Sequence, residues 1–153
     1  MTIPTGLAVR AATPEDADVV LTLVHEIAAH QNQSEHVTVD AARWRELLAS
    51  PQVTVLIAEL DGDPVGYVSA VRRLHLWSGR EVLALDDLYV RPGHRDRGIG
   101  LILMNHLSRY VEGLTITWGV QPDNDAAIRF YQRLGATTRT KVICAWTPTQ
   151  QPR

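Results

Sequence analysis

Two neighbouring aspartates, Asp86 and Asp87, stand shortly before a basic glycine turn, Arg95-Asp96-Arg97-Gly98-Ile99-Gly100. A carboxylate held on a strand can take a proton from a reacting group. A glycine turn at a helix start leaves unpaired backbone N–H groups at the positive end of the helix dipole. Two arginines beside it add full charge, which makes the turn a candidate cradle for a phosphate or pyrophosphate. The chemistry of the segment is therefore an anion site next to a pair of carboxylates. By itself a glycine-arginine turn is more often a plain loop than a phosphate cradle.

The elements around these residues are legible in the pattern. Val82, Leu83, Leu85, Leu88, Tyr89 and Val90 read as a strand, broken by Pro92 and Gly93. Ile99, Leu101, Ile102, Leu103 and Met104 begin a helix. On a regular strand Asp87 faces away from Asp86, because successive side chains alternate. A bulge would bring both toward one cleft.

The chain of 153 residues suffices for one domain with a core and is short for two, so residues 1–153 are expected to form a single domain. A hydrophobic share of 45% and a charged share of 21% fit a soluble globular protein. The formal charge of −2 argues against a general nucleic-acid binder, since no basic stripe outweighs the acids. Cys144 is the single cysteine, so no disulfide can form within the chain and a reducing, cytoplasmic location is expected. It lies in an apolar run, Val142 to Trp146, and is expected to be an inert core residue. No signal peptide, no stretch of membrane-spanning length and no metal-ligand spacing is visible, so neither membrane nor metal is expected.

In chain order, Leu7 to Arg10 reads as a strand. Thr13-Pro14-Glu15-Asp16 starts a helix, with Thr13 as cap and Asp16 returning a bond to it. Val20, Leu23, Val24 and Ile27 recur at helical spacing. A second helix is expected from about Val39 to Ala49, capped by Thr38 and ended by Pro51. Strands at 53–58 and 65–71 flank Asp61-Gly62-Asp63-Pro64 as a hairpin. The helix after the glycine turn should stop at Gly113. Residues 114–118 are β-rich, Pro122 to Asp125 caps a helix over 126–134, Gly135 closes it, and a last strand is expected over 138–146. The order β-α-α-β-β-β-α-β-α-β describes an α/β protein with a mixed sheet and helices on its faces.

Arg95-Asp96-Arg97-Gly98-Ile99-Gly100 resembles the R/Q-x-x-G-x-G/A acyl-CoA motif of the GNAT acetyltransferase superfamily. Asn124, Ala127, Ile128, Phe130, Tyr131, Leu134, Gly135 and Ala136 are similar to that family's N-x-x-A-I-x-F-Y-x-x-L-G-A signature. Leu85-Asp86-Asp87-Leu88-Tyr89-Val90 further resembles the L-E-D-L/F-F/Y-V strand of the diamine and spermidine/spermine acetyltransferases, as do residues 23–28 and Trp77-Ser78-Gly79. Gln31 and His75 depart from that branch, standing where polyamine enzymes carry acids.

The resemblance implies a GNAT fold with a mostly antiparallel central sheet, splayed at an acyl-CoA cleft. It implies acetyl transfer from acetyl-CoA to a primary amine of a small molecule, by direct attack on the thioester. Arg95, Arg97, Gly98, Ile99 and Gly100 would hold the diphosphate, Leu88 and Val90 would pair with the pantetheine arm, and Asn124 would lie near that arm. Asp86 is the leading base and Tyr131 the acid for the leaving sulfur; Asp87, Glu26 and Trp77 are candidate substrate contacts. Proteins of this kind are often homodimers, and one is expected here. Two other functions stay open: acetylation of a protein or peptide amine, and a non-catalytic acyl-CoA sensor.

Overall fold

Asp61 and Gly62 both adopt positive φ, 52° and 88°. That conformation suits a two-residue hairpin turn, and it folds strand β2 (Val53–Leu60) back onto β3 (Asp63–His75). The hairpin is the centre of a five-stranded sheet in the computed structural model, which describes residues 2–149. β1 (Leu7–Ala11) and β4 (Arg80–Val90) flank it, both antiparallel to their neighbours. β5 (Ile116–Thr117) adds a short parallel edge to β4, only at Leu83↔Ile116 and Ala84↔Thr117. The chain divides into two units, Met1–Trp118 and Gly119–Arg153.

In the first unit, helices α1 (Ala17–His30) and α2 (Ala41–Ala49) cover one face of the sheet. Val20, Leu23 and Ile27 of α1 bury against Val55, Ile57, Tyr67 and Tyr89, and Trp44 and Leu48 of α2 pack beside them. Alternation sends Leu56, Val68 and Leu83 to the opposite face, where they are also buried and where α3 (Ile99–Tyr110) contributes Ile99, Leu103, Met104 and Leu107. Both faces are thus dry, which explains the long apolar runs of the central strands.

The helix starts follow local chemistry. A single 3₁₀ turn, Pro14–Asp16, precedes α1, and Asp16 Oδ2 accepts the Thr13 N–H at 2.8 Å as expected. Arg10 grips both Asp16 oxygens, which holds that carboxyl down to about 2. α2 begins later than the pattern suggested. Its cap is Asp40, whose carboxylate accepts the Arg43 N–H at 2.8 Å, rather than Thr38. A carboxylate stabilises a helix N-terminus by charge as well as by hydrogen bonding.

The second unit holds one helix, α4 (Asp125–Leu134). Asn124 caps it by accepting the Ala127 N–H at 3.2 Å, and Gly135 ends it in the left-handed region at φ 103°. The strand expected over 138–146 does not form: residues 136–149 have no helix or strand. Strand stability comes from ladder pairing, and this unit offers no strand to pair with among its described residues. Cys144 is accordingly exposed rather than a core residue, as are Val142, Ile143 and Trp146.

Candidate active site

The site begins with the free edge of β4. The Arg91 N–H donates to Val65 O at 2.8 Å, so these two residues form a bonded pair of the antiparallel ladder. Bonded and non-bonded pairs alternate. Tyr89↔Tyr67 is therefore bonded, while Leu88↔Val68 and Val90↔Gly66 are not. The N–H and C=O groups of Leu88 and Val90 consequently point outward, toward the side of β5. That strand pairs with β4 no further than Ala84, so no strand among the described residues covers the edge beyond it. Gly66 permits the close approach of β3, since a Cβ there would stand 2.5 Å from the Tyr89 carbonyl oxygen.

The edge runs directly into the glycine turn. Gly93, Asp96 and Gly98 all have positive φ, and Gly98 (φ 78°) is the N-cap of α3. Ile102 N–H donates to Gly98 O at 3.0 Å. The N–H groups of Ile99, Gly100 and Leu101 precede that first bond and have no acceptor within the helix. Among the described residues, a Cβ at Gly100 would meet nothing closer than Leu88 Cδ2 at 4.0 Å. Arg97 is exposed. Arg95 bends back, donating from Nε to Val90 O at 2.9 Å, with its guanidinium carbon 5.9 Å from the centre of the Tyr89 ring. Ile99 is buried as the helix anchor.

The aspartates sit at a bulge. Ser69 opposes Asp87, but the next residue, Ala70, opposes Leu85, which leaves Asp86 as the extra residue of β4. The apolar phase of the strand slips with it. Leu83 and Leu85 share one face before the bulge, and Leu88 and Val90 share that face after it. Asp86 is exposed, yet partial desolvation, and then the charge of Asp87, push its pKa up. Asp87 faces the helix α1 side, where Tyr67 Oη donates to its Oδ2 at 2.7 Å and its own N–H donates to Ser69 Oγ at 3.2 Å. Burial, followed by the charge of Asp87, raises the Tyr67 hydroxyl far above the usual tyrosine range.

Glu26 is engaged from two sides. Arg91 donates to both of its oxygens, and Tyr89 Oη donates to Oε1 at 3.2 Å. These contacts make it a tie between α1 and the end of β4. The Arg91 hydrogen bonds hold its carboxyl below the usual glutamate range, against some opposition from burial. Trp77 lies in the turn between β3 and β4 and is 97% exposed, so it packs against nothing in its unit. A cavity of about 350 Å³ lies elsewhere, beside Leu48, Pro51, Thr54 and Arg72, and includes none of the candidate residues.

In the second unit, Asn124 spends its side-chain oxygen on capping α4. Tyr131 is half-buried beside Phe130, with ring centres 5.3 Å apart, and burial raises its pKa. Sequence reasoning did not single out Tyr67, Ser69 or Arg91. The signal for the first two was present in Leu83, Leu85, Leu88 and Val90, whose period breaks at the aspartates.

The sequence model of the Acetyltransferase (GNAT) family matches residues 21–136. A thialysine N-epsilon-acetyltransferase of Caenorhabditis elegans is 26% identical over 132 residues, which cover 84% of this chain and 82% of that protein. Among solved structures, an aminoglycoside acetyltransferase from an uncultured soil metagenomic sample aligns with a TM-score of 0.82 over 97% of this chain and all of that one, at 18% identity. An aminoglycoside N-acetyltransferase solved in complex with CoA aligns with a TM-score of 0.75 over 95% of this chain and 99% of that one, at 20% identity. At such identities the structural likeness shows the fold.

Proposed function

Because this chain belongs to the GNAT acetyltransferase family, we propose that it acetylates a primary amine of a small molecule, with acetyl-CoA as donor. The observation that carries this reading is the continuity of two features: a β4 edge at Leu88 and Val90 that no strand among the described residues covers, leading directly into the N-terminus of α3. An amide-bearing arm can add to a strand edge by backbone hydrogen bonds, and a diphosphate suits a helix N-terminus flanked by Arg95 and Arg97. The fit is supported by the space at Gly100, where no side chain among the described residues comes closer than 4.0 Å to the Cβ position.

The chain's own residues then divide the chemistry. Asp86, directly or through one water, takes a proton from the substrate ammonium and frees the nitrogen lone pair. The nitrogen attacks the thioester carbon, and the outward N–H of Val90 is the donor assigned to the developing oxyanion. As the C–S bond breaks, Tyr131 gives its proton to sulfur and is restored by the second proton leaving nitrogen. One proton is released in net, by way of Asp86. Support for Tyr131 is its place in the family signature and a hydroxyl that burial keeps protonated. Holding amine and thioester together supplies much of the remaining acceleration.

The small-amine reading draws on the relative that is named for thialysine and on the Leu85–Val90 strand motif. Gln31 and His75, in place of acids, argue for an acceptor with fewer positive charges than a polyamine. The test is a screen with acetyl-CoA against thialysine, lysine, diamines, polyamines, aminoglycosides and peptides, read as release of free CoA. Turnover with a small amine and a tenfold or greater fall in kcat for Tyr131→Phe, at unchanged CoA affinity, is expected. CoA release with peptides alone would overturn the small-molecule reading, and CoA binding without any turnover would leave the sensor function.

A further inference from the structure

The β4 bulge is held by two side chains of the neighbouring strand. A bulge removes one residue from the ladder and orphans its backbone groups. Ser69 Oγ accepts the Asp87 N–H at 3.2 Å, and Tyr67 Oη donates to Asp87 Oδ2 at 2.7 Å. Ser69 is 7% exposed and Tyr67 fully buried, so neither interaction is a surface accident. The Tyr67 ring lies within the α1-facing core and edge-on to Tyr89, with centres 6.3 Å apart. Its hydroxyl is therefore placed by packing on all sides. Asp86, by contrast, carries no side-chain hydrogen bond among the described residues.

We propose that Tyr67 and Ser69 are positioning residues for proton transfer: from β3 they anchor Asp87 by carboxylate and backbone, hold the bulge, and so leave Asp86 as the carboxylate available to the substrate. The inference rests on the acetyl-transfer reading for its chemical meaning, though not for its test. Two adjacent carboxylates of one chemistry are otherwise equivalent candidates for the substrate. A fixed hydroxyl donor on one of them breaks the symmetry. The charged and titratable groups facing the pair are Tyr67 from β3 and, further along the same face, Tyr89 with Glu26 and Arg91. Of these, only Tyr67 touches an aspartate directly.

The experiment follows the carboxyl ¹³C resonance of Asp86 with pH, assigned by its loss in Asp86→Asn, in the full-length wild type, Tyr67→Phe, Ser69→Ala and Ser69→Thr. Tyr67→Phe keeps the ring and its packing. The Asp86 midpoint should fall in that variant, because the neighbouring carboxylate loses the hydroxyl donor that fixes it beside Asp86. In the same variant kcat/KM for the amine should drop about tenfold, with its acid limb displaced and KM for acetyl-CoA unchanged. Ser69→Ala should behave similarly, and Ser69→Thr, which keeps the hydroxyl, should restore the wild-type titration. An Asp86 titration identical in wild type and Tyr67→Phe, in protein with wild-type unfolding cooperativity, would overturn the proposal. Loss of cooperative folding in Tyr67→Phe transfers the decision to the Ser69 pair, where equal titrations in Ala and Thr would overturn it. Absence of turnover in the wild type would instead overturn the acetyl-transfer reading and leave the NMR comparison standing.

Discussion

Arg91 holds Glu26 by both guanidinium arms, Nε to Oε1 at 2.9 Å and Nη2 to Oε2 at 2.7 Å. A third nitrogen, Nη1, donates to Pro64 O at 2.8 Å. One side chain thus ties α1, the start of β3 and the end of β4 at the point where the strand enters the glycine turn. Such a fork pairs geometry with charge, which a lysine could not reproduce.

Glu26→Gln should therefore cost about 1 kcal/mol of stability at neutral pH, a value set low because both side chains are about a third exposed. The carboxyl's pKa is depressed in the folded state, chiefly by the Arg91 hydrogen bonds. Its contribution is present above the unfolded glutamate value and disappears as pH falls through the folded one. Urea unfolding of wild type and Glu26→Gln should diverge at pH 7 and converge in acid. A constant gap across pH would assign the effect to packing.

Asp86 has the opposite sign. Its pKa is raised, by partial desolvation and then by Asp87, so the folded state binds this proton more tightly than the unfolded chain does. The group thus costs stability once pH rises above its folded value, and costs nothing below the unfolded one. Asp86→Asn should unfold at a higher temperature than wild type at pH 7 while losing about 10²-fold in kcat/KM. Its rate should also lose the acid limb of the pH profile. A variant that is slower but retains the same limb removes Asp86 as the base.

The glycine turn makes a separate prediction for donor binding. Gly98→Val forces a β-branched residue to φ 78° beside the N–H groups assigned to the diphosphate. Arg97→Ala removes one exposed charge and little else. Calorimetry with CoA should show about a tenfold loss for Arg97→Ala, with a shallower salt dependence, and a larger loss for Gly98→Val. Equal CoA affinity in all three proteins would move the diphosphate away from this turn.

Gly66→Ala tests the close approach of β3 and β4. Its Cβ would sit 2.5 Å from the Tyr89 carbonyl oxygen and 3.2 Å from Val90 Cα, both backbone atoms that cannot step aside. A loss of about 1–3 kcal/mol is expected from thermal unfolding. Because Val90 also carries the outward N–H of the candidate site, kcat should fall further than stability alone accounts for. A variant of unchanged melting temperature would show that the strands can part there.

Much of the site was legible without coordinates. Arg95 to Gly100 is a local motif, since positive φ at Gly98 and the orphan N–H groups of α3 depend only on nearby backbone. The same holds for the Asn124 cap and the Gly135 stop of α4. The α2 cap moved from Thr38 to Asp40 because both residues can cap, and the choice depends on where tertiary packing starts the helix. The strand expected over 138–146 does not form, because strand formation needs a partner that local sequence does not name.

The sequence by itself determined the family, the order of the elements through α4, and the glycine turn that starts α3, because glycine spacing and apolar period act over a few residues. Only the tertiary structure decided how the carboxylates are used. Glu26 finds Arg91 across 65 positions and Tyr67 finds Asp87 across 20. Those pairings arise from strand register and helix docking, which bring distant side chains within hydrogen-bonding distance. They separate an ion-paired glutamate, an anchored aspartate and an available one, three acids of one chemistry that the sequence alone could not tell apart.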